Sequence, residues 1–133
     1  MFTSVKSRVA AYQRTAQEIN IQGADNHQLV SLLFEGLMQS LLRARGAIER
    51  QDVATKGEAL GKSVRILEEG LKASLNLDEG GSLATNLLGL YDYSILRLTH
   101  ANLKSDRSAV EEVINLIEPI AQAWRQIRGS RGV

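Results

Sequence analysis

LVSLLFEGLMQSLLRARGAIE occupies residues 29–49. Within it Val30, Phe34, Leu37, Leu41, Ala44 and Ile48 follow one another at spacings of four and three. That is the period of one helix face, not the two-residue alternation of a strand. A helix is therefore predicted from about Asn26 to Arg50, with Asp25 and Gln28 as a capping box. Read outward from this seam, the chain repeats the pattern. Val53, Leu60, Val64, Leu67 and Leu71 mark a second helix over about 53–75, capped by Asp52. A third is expected over about 83–103, with Ser82 as its cap. Val110, Val113, Ile117, Ile120, Trp124 and Ile127 mark a fourth over about 106–127, with Ser108 and Glu111 as a second capping box.

Turn-forming residues separate the segments: QGADN at 22–26, LDEGGS at 77–82, KSDRS at 104–108, and a weaker break at RQD, 50–52. No long alternating pattern suggests a strand. The fold class is all-α: an antiparallel four-helix bundle of helices of ~22 residues and ~33 Å each. A short N-terminal helix or arm over 1–20, carrying Val5, Val9 and Tyr12, is expected to pack on a bundle domain over 21–133. Pro119, the single proline, is expected to disturb helix four near Asn115–Glu118. Six glycines (36, 46, 57, 61, 70 and 89) fall inside the expected helices. Close helix packing and a deliberately pliable bundle both account for them.

Composition narrows the function. At 133 residues the chain suits one domain. It contains no cysteine, which excludes disulfides, thiolate metal sites and cysteine nucleophiles. A net charge of +1 offers no electrostatic footprint for nucleic acid. The N-terminal stretch, broken by Lys6 and Arg8, lacks the apolar run of a secretory signal. No segment approaches the roughly 20 apolar residues that insertion in a membrane requires. A soluble cytoplasmic protein is expected.

The residues for catalysis are missing too. The histidines are His27 and His100, and neither stands three positions after a glutamate, as a di-iron bundle would need. His27 reads as a surface or capping residue, and His100 as a partner for the helix-three dipole. GEALGKS at 57–63 imitates a phosphate loop, but has three residues between its glycines where the true pattern has four. The carboxylate pairs at 68–69 and 111–112 read as solvated helix faces, because adjacent helix positions diverge. Trp124 reads as core, with its indole N–H near the bundle end. No enzyme activity, metal or cofactor is expected.

Helix three is the exception to ordinary patterning. Leu87, Tyr91, Ser94 and Leu98 form one stripe, which suits the core. Leu83, Leu90, Tyr93, Leu96 and Leu103 remain, and point elsewhere. Successive positions turn by ~100°, so Leu90, Tyr93 and Leu96 share a sector away from that stripe. Surplus apolar surface of this kind marks an interaction site.

The same helix carries a signature: GG, then L-x-x-N-L, L-Y-D-Y, R-L and A-N. Here these are Gly80, Gly81, Leu83, Asn86, Leu87, Leu90, Tyr91, Asp92, Tyr93, Arg97, Leu98, Ala101 and Asn102. With AYQRT at 11–15, the stretch at 29–49 and EEVINLIEPIAQAWRQI at 111–127, the chain resembles the FliS family of flagellar export chaperones over nearly its whole length. Pro119 and the terse loop after helix one depart from the family pattern. The resemblance implies a helical bundle that binds the C-terminal segment of flagellin in the cytosol, blocks premature polymerisation and delivers the subunit to the flagellar type III export gate. It also implies that the arm around Tyr12 covers part of the groove when no client is bound. The candidate flagellin contacts are Tyr12, Ile66, Leu83, Leu90, Tyr93, Leu96 and Arg97. The expected resting state is a monomer or weak homodimer. A self-associating adaptor bundle that uses the same apolar side is the alternative.

Overall fold

The computed structural model describes residues 26–127. The expected arm over 1–20, with Tyr12, and the Asp25 cap lie outside them. Four helical rods make up the described chain: α1 (Asn26–Glu49), α2 (Val53–Arg65), α3 (Gly81–Lys104) and α4 (Arg107–Gln126). A π-helical turn, Ile66–Leu71, extends α2. The connections are short, which reverses the chain direction at each step. α1 and α3 each pack on both α2 and α4, so the rods form a closed antiparallel ring.

The core follows the sequence seams closely. Val30, Phe34, Leu37, Leu41 and Ala44 of α1 are buried, as are Val110, Val113 and Ile117 of α4. Leu60, Leu67 and Leu71 complete the second seam, whereas Val53 is 69 % exposed. Val53 is the first residue of α2, at the end of the bundle where no neighbouring rod covers it.

Helix ends show two differences from expectation. Asp52 caps α2 as expected, accepting from the Thr55 N–H at 3.1 Å. In α4 the cap is Asp106, not Ser108: it accepts from the N–H groups of Ser108 and Ala109 at 3.0 and 3.3 Å. The Ser108 hydroxyl itself donates to Asp106. α3 starts at Gly81, so Ser82 lies inside it and Gly80 is the cap residue. Only glycine fits there. A Cβ on Gly80 would stand 2.6 Å from the Asn76 carbonyl oxygen, and Gly81 takes φ +58°.

The second segment is not one regular helix to residue 75. The Lys72 N–H reaches the Leu67 carbonyl, five residues back, at 2.9 Å. A π turn holds more residues than an α turn. Ile66, Leu67, Gly70 and Leu71 are all buried. Further up α2, Lys56 is buried, and its ammonium donates to the Asn102 carbonyl at 3.0 Å and the Ser105 hydroxyl at 2.7 Å. A cation thus closes the C-terminal end of α3, where the helix dipole is negative.

α4 runs across Pro119 as one helix. The Asn115 carbonyl has no N–H to accept at 119, yet both residues are exposed, so water can serve it. A Cβ added at Gly57, Gly61 or Gly89 would meet no atom within 4 Å, so close packing does not account for these three. Replacing each by alanine should raise stability, by up to about 1 kcal/mol per site. Leu98→Ala should cost about 2–5 kcal/mol through the cavity it leaves. Chemical denaturation of the four single variants checks both signs.

Candidate functional site

α3 lies between two rods, α2 and α4, and is open on its remaining side. Tyr91 and Leu98 face the core, at 2 % and 0 % exposure, beside Ser94 and Ala101. Leu87, Leu90 and Ile95 flank them, half-buried against the core. The rest of the apolar set points to water: Leu83 is 50 % exposed, Tyr93 43 %, Leu96 69 % and Leu103 78 %. Leu96 and Leu103 stand seven residues apart, or ~20° around the helix, and make the centre of an outward stripe. Gly89, seven residues before Leu96, is also exposed. The open space beside it leaves this part of the stripe without obstruction.

Ion pairs fix the two edges of this face. On one edge, Glu112 of α4 accepts from the Tyr93 hydroxyl at 2.5 Å and from Arg97 Nε at 2.7 Å. The Tyr93 hydrogen bond first, and Arg97 second, hold the Glu112 carboxyl below its ordinary pKa. Neighbouring Glu111 is tied to Arg45 of α1, which lowers its pKa in the same way. The pair at 111–112 is therefore not the simple solvated face expected from sequence. Its two members diverge, as adjacent helix positions must, and each finds a cation on a different rod. On the other edge, Lys72 bridges Glu68 at 2.9 Å and Asp92 of α3 at 2.6 Å.

A second apolar feature lies on the inner side of α3, at the end of the bundle where α1 begins and α4 ends. It is a small apolar cleft, partly open to solvent. Its walls are Val30 and Phe34 of α1, Leu87 and Tyr91 of α3, and Ile120 and Trp124 of α4. Leu75 and Ser74 close it from the α2–α3 connection. Beside it, α1 and α4 are clasped together. The Trp124 indole N–H donates to the His27 carbonyl at 3.1 Å, and His27 Nε2 donates to the Trp124 carbonyl at 2.9 Å. The two rings stack at 4.9 Å. His27 is thus an inter-helix fastener, and the indole has the partner its position called for. His100 pairs with Asp106, the cap of α4, at 3.2 Å.

The candidate residues from sequence separate cleanly. Leu83, Tyr93 and Leu96 are all exposed. Tyr93 and Leu96 share the outer side of α3, whereas Leu83 lies ~140° around from Leu96, in line with half-buried Leu90. Arg97 stands beside Tyr93, but its guanidinium is engaged by Glu112. Ile66 is in the core at 2 % exposure, and not on a surface. It stands seven residues after Ala59 and three after Ser63, both buried, and so shares the inward face of the helix. Tyr12 is outside the described residues. Sequence reasoning missed Glu112, Lys72 and Lys56. Their partners lie on other rods, and nothing in local spacing announces them. Among the described residues no cluster of His, Asp and Glu could hold a metal ion, and no helix is long and apolar enough to cross a membrane.

The sequence is similar to known proteins over most of its length. The profile of the family described as "Flagellar protein FliS" matches residues 8–131. The flagellar secretion chaperone FliS of Salmonella typhimurium is 47 % identical over 127 residues, which cover 96 % of this chain and 93 % of that protein. The protein of the same name from Escherichia coli is 40 % identical over 116 residues, covering 87 % of this chain and 85 % of that one. The flagellar secretion chaperone FliSB of Pseudomonas aeruginosa is 39 % identical over 113 residues, covering 85 % and 89 %.

The carboxylates at these edges and caps set a pH dependence. Glu111, Glu112, Asp52 and Asp106 all have lowered pKa values in the folded chain. A depressed folded pKa contributes stability that is present above the unfolded value and is lost as pH falls through the folded one. The melting temperature should therefore decline as pH drops below the ordinary glutamate value of 4.5. Glu112→Gln should lose less than the wild type between neutral and acid pH, as thermal melts across that range would show.

Proposed function

The chain belongs to the FliS family of flagellar proteins, and from that premise we propose that it is a cytosolic chaperone for flagellin. In this reading it binds flagellin's C-terminal segment, which is disordered when free. It keeps the subunit from polymerising and hands it to the flagellar type III export gate. The relatives' names supply the class, a flagellar secretion chaperone. The observation that carries the rest is the outward stripe of α3: Tyr93, Leu96 and Leu103, exposed in a row on a helix already supplied with a complete core face.

Such a stripe suits helix-in-groove recognition, in which a disordered segment folds as it binds. The magnitudes are reasonable. Four or five leucine-sized anchors give about 8–12 kcal/mol gross. Ordering the client then takes back several kcal/mol. The net corresponds to a micromolar or somewhat tighter complex, held firmly enough for transit and loosely enough for release. Charge has a secondary part. Glu112 holds the Tyr93 ring in place through its hydroxyl, and Arg97 in turn holds Glu112. Arg97 then serves the surface by positioning Tyr93. Nothing in the reading requires a nucleotide, metal or chemical step.

Titration calorimetry with a peptide of flagellin's C-terminal segment tests the assignment. Tyr93→Ala and Leu96→Ala should melt near the wild type and weaken binding about tenfold or more each, as interface anchors do. If both variants bind like the wild type while the wild type binds well, the client lies elsewhere on the bundle. If the wild type binds no flagellin segment and only self-associates, the protein is an adaptor and not this chaperone.

A further inference from the structure

The first part of α2, Val53–Arg65, is weakly held. Of its 13 residues, only one of valine size or larger is buried, Leu60. The others that face inward are Ala59, Ser63 and Lys56, with Val64 half-buried. α1 buries five such side chains between Val30 and Leu41, and α4 buries four between Val110 and Ile117. α3 buries Tyr91 and Leu98, and has Leu87, Leu90 and Ile95 half-buried beside them. Apolar burial is the main favourable term in folding, so a segment with little of it opens first.

Three further features weaken the same segment. Gly57 and Gly61 stand in its interior, where a Cβ would meet nothing within 4 Å. Packing does not require them, and each loosens the helix. Lys56 is buried, yet its ammonium meets only neutral oxygens, the Asn102 carbonyl and the Ser105 hydroxyl. No carboxylate pairs with it among the described residues, and a buried cation without one is costly. The bridge from Arg43 of α1 to Glu58 is more than half exposed at both ends and adds little. The backbone is already irregular at both borders of the segment. Gln51 takes φ 59°, and the π turn begins at Ile66. From there Ile66, Leu67 and Leu71 are buried again, so the hold on the core returns.

We propose that residues 53–65 form a strap that opens as one unit, between Gln51 and the π turn, while α1, α3, α4 and the π turn stay folded. The opening belongs to the free chain and needs no client. It releases Asn102 and Ser105 from Lys56, and so unties the end of α3 that carries exposed Leu103. On its other side α3 remains tied to α4 through Glu112. The α4 edge of the outward face is thus fixed, and the α2 edge yields at its C-terminal end.

Amide hydrogen exchange in the whole chain tests this. In the wild type, amides of residues 57–65 should exchange at least ~10-fold faster than those at the centres of α1 and α4, after correction for intrinsic rates. Gly61→Ala should slow residues 57–65 about 3- to 5-fold, the cost of one glycine in a helix. Gly89→Ala, in α3, should slow the centres of α1 and α4 by a similar factor, because those amides exchange through global unfolding. It should leave residues 57–65 unchanged, because α3 stays folded when the strap opens. Protection of residues 57–65 equal to that of α1 and α4 would overturn the proposal. So would a Gly61→Ala variant in which residues 57–65 exchange as in the wild type. A Gly89→Ala effect as large on residues 57–65 as on α1 would mean that α2 opens only with the whole bundle, and would overturn it too.

Discussion

A helix in a ring of four has two neighbours and one side left for water. α3 nevertheless carries apolar residues around most of its circumference, and the rest of the molecule is arranged to hold it in that state. Tyr91 and Leu98 satisfy the core. Leu96 and Leu103 are left over, and no rearrangement inside the ring can bury both sets at once. Exposed apolar area of this kind is a standing cost in solubility. A chain keeps it where something else covers it in use.

The polar contacts make sense against that constraint. Lys56 closes the C-terminal end of α3 from α2, Lys72 grips Asp92 on one edge, and Glu112 grips Tyr93 and Arg97 on the other. Individually, exposed ion pairs contribute little to stability. Together they fix the rotation and axial register of α3, which decides which residues face outward. The signature of the family is explained in the same terms. Gly80 and Gly81 let the chain enter α3 through a turn with no room for a Cβ. Asp92 meets Lys72, and the two tyrosines divide between core and surface.

The four rods were legible in the sequence because their burial is periodic. A seam such as Val30–Phe34–Leu37–Leu41–Ala44 states both the element and its inward face. The division of α3 into Tyr91 and Leu98 on one side, Tyr93 and Leu96 on the other, was legible for the same reason. The π turn was not. It adds no residue type that an α-helix avoids. The expected caps of α3 and α4 each fall two positions late, because Ser82 and Ser108 have capping chemistry but the backbone turns earlier, at Gly80 and Asp106. The cross-rod contacts of Glu112, Lys72 and Lys56 depend on how the rods meet, and a single sequence records that only indirectly.

The central claim is that the outward side of α3 exists to fold a partner segment onto itself. Far-ultraviolet circular dichroism measures this most directly. The spectrum of an equimolar mixture with the flagellin C-terminal segment is compared with the sum of the two separate spectra. The account predicts helical signal in excess of the sum, saturating as the segment is titrated and reduced in Leu96→Ala. Spectra that simply add, with the protein instead associating with itself as its concentration rises, would contradict it.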